Sequence, residues 1–348
     1  MEIIKARSFA RAGLLGNPSD GYFGKTLSFA FANFGVDLTL MESSRMRFVP
    51  GEVDDAVFDS PEHLVHDIRI FGYYGGIRML KAVAKLFFEY CMQHGIEIPS
   101  KNFTAEYKIN VPRLVGLSGS SAICSAMLKA LMKFYGVKIP EKYAPTLCLE
   151  AERDELGINC GYQDRVIQMY NGLVFMDFNK AYLEEHSYGM YERLSPQLLP
   201  NLYVAYDPNR AEESGKAHKK VKKLFEQKSP DVISAMSEFA DIAQKGRDAL
   251  LAGRSGELSA LIDANFDLRD SIFNVSDENR HMINVARAAG ASAKFAGSGG
   301  AIVGTYEDEE HFKRISAALS NIGCRTIKPI IVETDEVNLA GDGVWRNS

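Results

Sequence analysis

The run Pro112-Arg113-Leu114-Val115-Gly116-Leu117-Ser118-Gly119-Ser120-Ser121-Ala122 gathers small and hydroxyl-bearing residues just ahead of a helical pattern. In that pattern Ile123, Met127, Leu128, Leu131 and Phe134 recur at helical spacing. Gly116 and Gly119 lack a Cβ, so main-chain N–H groups can turn toward a ligand and a phosphate can come close. A helix beginning near Ser120 adds unpaired N–H groups and the positive end of its dipole. The hydroxyls of Ser118, Ser120 and Ser121 can donate to phosphate oxygens or ligate magnesium. The run therefore reads as a phosphate cradle, or more plainly as a serine-capped helix after a glycine turn. It is neither common nucleotide loop. A Walker loop ends Gly-Lys-Ser/Thr, and residues 119–121 are Gly-Ser-Ser. A dinucleotide fingerprint opens a helix early in its unit. Gly297-Ser298-Gly299-Gly300 instead comes late and leads into Ala301-Ile302-Val303, a strand pattern.

Two further runs offer charge. A strand-like stretch ending near Ala10-Arg11-Ala12-Gly13 leads into Asn17-Pro18-Ser19-Asp20. Arg11 suits neutralising a transferring phosphoryl group, and Asp20 suits holding sugar hydroxyls. An ordinary turn beside a surface arginine has the same sequence. Glu152, on a helical pattern, and Asp164, after the turn at Gly161, are spaced carboxylates. One could meet a magnesium ion that also holds substrate phosphates, and the other could take the proton of an attacking hydroxyl. Helix-surface and loop acids are the plain alternative. The late run Lys294 to Ala301 is either a hairpin turn or a close backbone approach to substrate.

Elements must position these groups. Strand patterns cover 29–32, 36–40, 103–111 and 173–178, with helices over 75–95 and 142–156. Ser195-Pro196 and Leu199-Pro200 interrupt the pattern near 185–200, a domain boundary. Beyond it come a strand at 202–206, helices at 230–252, 256–272 and 277–289, strands at 293–296 and 301–305, a helix at 308–320 and a strand at 326–332. That mixture is an α+β pattern. With 348 residues, 46% of them apolar, the chain can build two cores. A net charge of −5 without a long basic block argues against nucleic acid as a partner. The basic cluster at 218–223 reads as a solvated helix face, or as steering for an anionic substrate. Cys91, Cys124, Cys148, Cys160 and Cys324 show no C-x-x-C spacing and sit among apolar residues, as in a reduced cytoplasmic protein. No secretory h-region or apolar run of about 20 residues points to export or to a membrane.

Together the three glycine-containing runs, in this order and spacing, resemble the GHMP kinases. Pro112 to Ala122 matches that family's P-x-x-x-G-L-x-x-S-[SA]-A motif, and Gly297 to Gly300 its late Gly-x-Gly-Gly. The likeness covers about residues 5–335. It narrows to the glucuronokinase branch through Ala10 to Asp20, 73–78, Gly116 to Ala122, Gln163-Asp164-Arg165, Asn265 to Arg269 and Phe295 to Ala301. Galactokinases carry Gly-Glu-His where this chain has Gly16-Asn17-Pro18, which argues against galactose.

The resemblance implies a two-domain α+β GHMP fold. An N-terminal α/β domain over 1–195 would carry the phosphate loop, and a ferredoxin-like domain over 196–348 would follow, with the active site between them. It implies ATP, Mg2+ and a small sugar acid as ligands, with phosphate transferred to the anomeric hydroxyl of glucuronate. Asp164 would be the catalytic carboxylate and Arg11 its cationic neighbour. Pro112, Gly116, Leu117, Ser118, Gly119, Ser120, Ser121 and Ala122 would bind ATP, and Ser121 and Glu152 magnesium. Asp20, Gly161, Gln163, Ser214, Gly215, Gly297 and Gly299 would bind substrate. Arg78, Arg165, Lys216, Arg269 and Lys294 are candidate cations for a uronate carboxylate, and the aromatics in 71–74 either stack on adenine or anchor a helix. Galacturonate, a neutral sugar or a mevalonate-like acid are alternative substrates, and a non-catalytic sugar sensor is the alternative role.

Overall fold

The computed structural model describes residues 2–51, 54, 75–208 and 215–331. Among the described residues ten strands alternate unevenly with helices. In order they are β1 (Ile3–Leu15), β2 (Lys25–Ser43), β3 (Arg47–Phe48), α1 (Gly76–Gln93), β4 (Asn102–Ile109), α2 (Gly119–Tyr135), α3 (Ala144–Glu150), α4 (Gln163–Tyr170), β5 (Leu173–Asp177), α5 (Lys180–His186) and β6 (Met190–Leu194). The second part holds β7 (Leu202–Tyr206), α6 (Gly215–Glu226), α7 (Pro230–Leu251), α8 (Leu258–Ile272), α9 (Asp277–Ala288), β8 (Lys294–Phe295), β9 (Ala301–Thr305), α10 (Glu309–Ser320) and β10 (Arg325–Ile327).

The first sheet runs β3-β4-β2-β5-β6, with β1 also paired to β2. Its pairings are antiparallel except β3 with β4. The two expected strands at 29–32 and 36–40 are one strand, β2. The register against β1 jumps from Gly35 to Phe31 as Phe9 gives way to Ala10, so residues 32–34 bulge out and pairing resumes beyond them. Gly35 is required there, because a Cβ would lie 2.6 Å from the Ser8 carbonyl. The apolar faces of α1 and α2 cover one part of this sheet, burying Leu80, Phe87, Ile123, Met127, Leu131 and Phe134 against Leu38, Leu40 and Phe103.

The second sheet, β10-β7-β9-β8, is antiparallel throughout. A continuous apolar cluster joins the two sheets: Leu14, Leu15, Leu27 and Phe29 pack with Val204, Ile242, Leu250 and Val303. The expected strand at 326–332 stops at Ile327 because the chain turns back to the bulge. Asn33 donates to the Lys328 carbonyl, and the Ala32 N–H donates to the Ile330 carbonyl at 2.7 Å. The expected helix at 142–156 is shorter too. It runs as α3 to Glu150 and then widens into a five-residue π turn, Ala151–Glu155, which carries Glu152. Among the described residues no helix is long and apolar enough to cross a membrane.

Candidate active site

Arg11 lies on β1 and is 5% exposed. Its guanidinium touches three parts of the chain. Nε donates to Asp164 Oδ1 at 2.6 Å, and a second nitrogen donates to Oδ2 at 3.0 Å. This is the bidentate fork that arginine makes with carboxylates. The third nitrogen donates to the Gly116 carbonyl at 2.6 Å and the Ala296 carbonyl at 3.2 Å. The first strand, the serine-rich loop, the first turn of α4 and the late glycine loop therefore converge on one cation. Burial raises the Asp164 pKa, but the Arg11 and Arg165 charges, with hydrogen bonds from Arg11 and Ser118, outweigh it and hold the carboxyl below its usual range.

The two glycine loops meet because both lack side chains at the contact. A Cβ on Gly116 would sit 2.6 Å from the Gly299 carbonyl, and one on Gly297 would sit 2.2 Å from the Gly116 carbonyl. Gly116, with φ of 75°, also occupies the left-handed region that glycine favours. Around this junction opens a cleft of about 330 Å³. Its walls include Arg11, Pro112, Gly116 through Ser121, Glu152, Asp164 and Gly297.

Asp20 enters the cleft from the short helical turn Ser19–Tyr22 and is 5% exposed. Its Oδ2 accepts the Gln163 main-chain N–H at 3.2 Å. Gly161 lies close beneath, since a Cβ there would be 2.0 Å from that oxygen. Burial first, then the Asp164 charge, push the Asp20 carboxyl up to about 6, against the Gln163 hydrogen bond and the Arg11 and Arg165 charges.

Glu152 is fully buried. One of its oxygens pairs with Arg165, whose Nε donates to it at 2.7 Å; the other, Oε1, has no hydrogen-bond partner. A bare buried carboxylate oxygen is costly unless something satisfies it. Ser121, in the first turn of α2, supplies a second oxygen on the cleft wall. One carboxylate and one hydroxyl fit a magnesium ion that takes its other ligands from phosphates and water. Among the described residues no cluster of three or more His, Cys, Asp or Glu forms a cage without such help.

Comparison with known proteins agrees with this convergence. Residues 78–172 match the GHMP kinases N terminal domain and residues 247–323 the GHMP kinases C terminal domain. The chain is 46% identical to probable glucuronokinase 2 of Arabidopsis thaliana, over 86% of this chain and 84% of that protein. Glucuronokinase 1 of the same plant is 43% identical over the same shares. The chain belongs to the GHMP kinase family. It is a kinase, moving a phosphoryl group to an alcohol acceptor. Its fold is also that of Lactococcus lactis galactokinase, with a TM-score of 0.75 at 15% identity, covering 95% of this chain and 94% of that one.

Not every residue expected at the kinase site reaches the cleft. Ala122, in the first turn of α2, is fully buried and packs into the core rather than lining the cleft. Gly299 lies against Gly116, and Gly215 opens α6. Gln163 presents its main chain to Asp20, while its side chain accepts from Ser28 in the interior. Ser214 and the aromatics in 71–74 lie outside the described residues, as does the side chain of Lys216.

The candidate cations separate by their partners. Lys294 is 1% exposed and spends its donors on the Gly13 carbonyl, Asn17 Oδ1 and the Phe295 carbonyl. Burial, then the Arg269 and Arg11 charges, push it well below the usual lysine range. It is a buried tie, not a counter-charge for substrate. Arg165 is committed to Glu152, and Arg78 donates to the Leu156 carbonyl away from the cleft walls. Arg269 remains on the wall and holds the Gly297 and Ser298 carbonyls at 3.1 and 3.0 Å. Lys222, on α6, and Arg113 also line the cleft and were missed as site residues. The basic cluster at 218–223 was the available signal for Lys222. Its placement depends on Val221, buried beside it, and on Phe225, whose ring meets Tyr22 at 4.9 Å.

Proposed function

We propose that this kinase transfers the γ-phosphoryl group of ATP to the anomeric hydroxyl of D-glucuronate, yielding glucuronate 1-phosphate and ADP. The observation that carries this reading is Arg11, which ties Asp164 to both glycine loops within one cleft. Identity to the two glucuronokinases supports the choice of acceptor. The anomeric oxygen attacks the γ-phosphorus while the bond to the β–γ bridging oxygen breaks, and ADP departs with that electron pair. Asp164 orients the acceptor hydroxyl and takes its proton. Arg11 keeps that carboxylate charged and aimed, and balances charge as the phosphoryl group moves. Ser120, Ser121 and the N–H groups opening α2 receive the ATP phosphates. Asp20 accepts from sugar hydroxyls across the cleft. Ser121 and Glu152 would hold magnesium, which when bound neutralises phosphate charge. The substrate carboxylate faces a cleft whose walls include Arg113, Lys222 and Arg269.

The test is ADP release with Mg–ATP against glucuronate, galacturonate, glucose, galactose and mevalonate, with phosphorus NMR of the product. Preference for glucuronate with an anomeric phosphate is expected. Equal or better use of another acceptor reassigns the substrate, and binding of ATP and sugar without ADP release returns the chain to a sensing role.

A further inference from the structure

Ser118 sits in the serine-rich loop on the cleft wall, and its hydroxyl is already spent on a carboxylate. Oγ donates to Asp164 Oδ2, the same oxygen that accepts from Arg11. The main chain around it is clamped from below. Gln168 Nε2 donates to the Ser118 carbonyl at 2.9 Å and to the Phe9 carbonyl at 3.1 Å, and Lys129 donates to the Gln168 carbonyl at 2.6 Å. Ser118 holds φ 64° and ψ 46°, a left-handed conformation at the residue that opens α2. For a residue other than glycine that conformation carries strain, and such strain concentrates at functional positions. Glycine would meet the backbone requirement better, as it does at Gly116 two residues earlier. What a serine adds is the hydroxyl.

We infer that Ser118 is a positioning residue for Asp164 and not a phosphate ligand, so that the nucleotide loop and the proton-accepting carboxylate are set by one side chain. The inference rests on the reading of Asp164 as the group that takes the acceptor proton. Arg11 fixes both oxygens of the carboxylate in its fork, and Ser118 adds a second donor to Oδ2. Removing that donor leaves the Arg11 fork to hold the carboxylate, so the Asp164 side chain is held less tightly toward the acceptor. The rotamer facing the acceptor is then less often occupied, and the cost falls on turnover rather than on nucleotide affinity. Ser120 and Ser121, farther into the first turn of α2, are left to meet the phosphates.

The experiment compares Ser118→Gly and Ser118→Ala with the parent enzyme and with Asp164→Asn. In each, kcat, the KM for ATP and the thermal midpoint are measured. Ser118→Gly is expected to raise or hold the midpoint, because it relieves the left-handed strain, while kcat falls by roughly tenfold or more, as for a lost hydrogen bond to a charged group. The KM for ATP should stay within about twofold in both serine variants. A merely structural serine would instead lose midpoint and turnover together, overturning the inference. A rise of about tenfold in the KM for ATP with kcat retained would make Ser118 a phosphate ligand, and unchanged kinetics would make the hydroxyl idle. Either result overturns it. If Asp164→Asn itself keeps turnover, the reading of Asp164 fails and the inference built on it falls too, whereas an adverse Ser118 result with Asp164→Asn inactive overturns the inference alone.

Discussion

Asp164 and Asp20 face the same cleft and are linked through one peptide, since the Gln163 N–H beside Asp164 donates to Asp20. Their surroundings drive them apart. Asp164 receives the Arg11 fork, the Ser118 hydroxyl and the Arg165 charge 3.8 Å away, and is held below the usual carboxylate range despite its burial. Asp20 receives one main-chain N–H at 3.2 Å, while burial and the Asp164 charge push it up to about 6. Paired carboxylates divided by environment in this way take different tasks. The low one stays charged and keeps its orientation under arginine. The high one, pushed up to about 6, exchanges a proton closer to neutral pH. Residue type does not assign the roles; the donors around each carboxylate do.

The largest expected break in this contrast comes from the cationic side. Glu152→Gln removes the charge that holds Arg165, leaving a fully buried arginine without its ion pair. Breaking one partner of a buried pair costs about 3–5 kcal/mol, measurable by denaturant unfolding. A loss under about 1 kcal/mol would mean that Arg165 closes its 3.8 Å gap and re-pairs with Asp164. In that case Asp164 gains a second close cation and the contrast with Asp20 sharpens.

Asp164→Asn comes next. The amide keeps the size but neither takes the acceptor proton nor balances the Arg11 charge. Turnover should fall by ~100-fold or more, read as ADP release at saturating ATP and acceptor. A fall of less than about tenfold would show that orientation by Arg11 and the loop suffices without a base at this position.

The sequence exposed the chemistry of this site more readily than its geometry. Arg11, Glu152 and Asp164 were legible because each sits in a run whose type and order resemble those of a family. The meeting of Gly116 with Gly297 and Gly299 was not, because nothing in either run states that two glycine turns 181 residues apart share a contact. The single strand β2 was read as two because the bulge at 32–34 breaks alternation, and the partner that bridges it, β1, lies elsewhere in the chain. Lys294 looked like a substrate cation because charge can be read from a sequence and burial cannot. Besides its neighbour Phe295, its acceptors come from Gly13 and Asn17, brought to it only by folding.

The smallest effect, and the one that tests the high carboxylate directly, is Asp20→Asn. A folded-state value of about 6 against an unfolded value near 3.9 means that the fold binds the Asp20 proton more tightly than the unfolded chain does. Protonation therefore favours the fold. At pH 8 the charged side chain costs the parent enzyme about 3 kcal/mol, and that cost disappears as pH falls through 6 toward 4. Asparagine carries no charge and can still accept from the Gln163 N–H. Allowing about 1 kcal/mol for burial of the amide, the variant should be more stable by about 2 kcal/mol at pH 8, with the gap narrowing below pH 6, closing between about pH 4 and 5 and slightly reversed below that. Asp164, held low, keeps its charge through most of that window, so the gap reports on Asp20. The same variant should raise the KM for the acceptor more than the KM for ATP. A stability gap that does not change with pH would place Asp20 in an ordinary carboxylate environment and remove the contrast between the two acids.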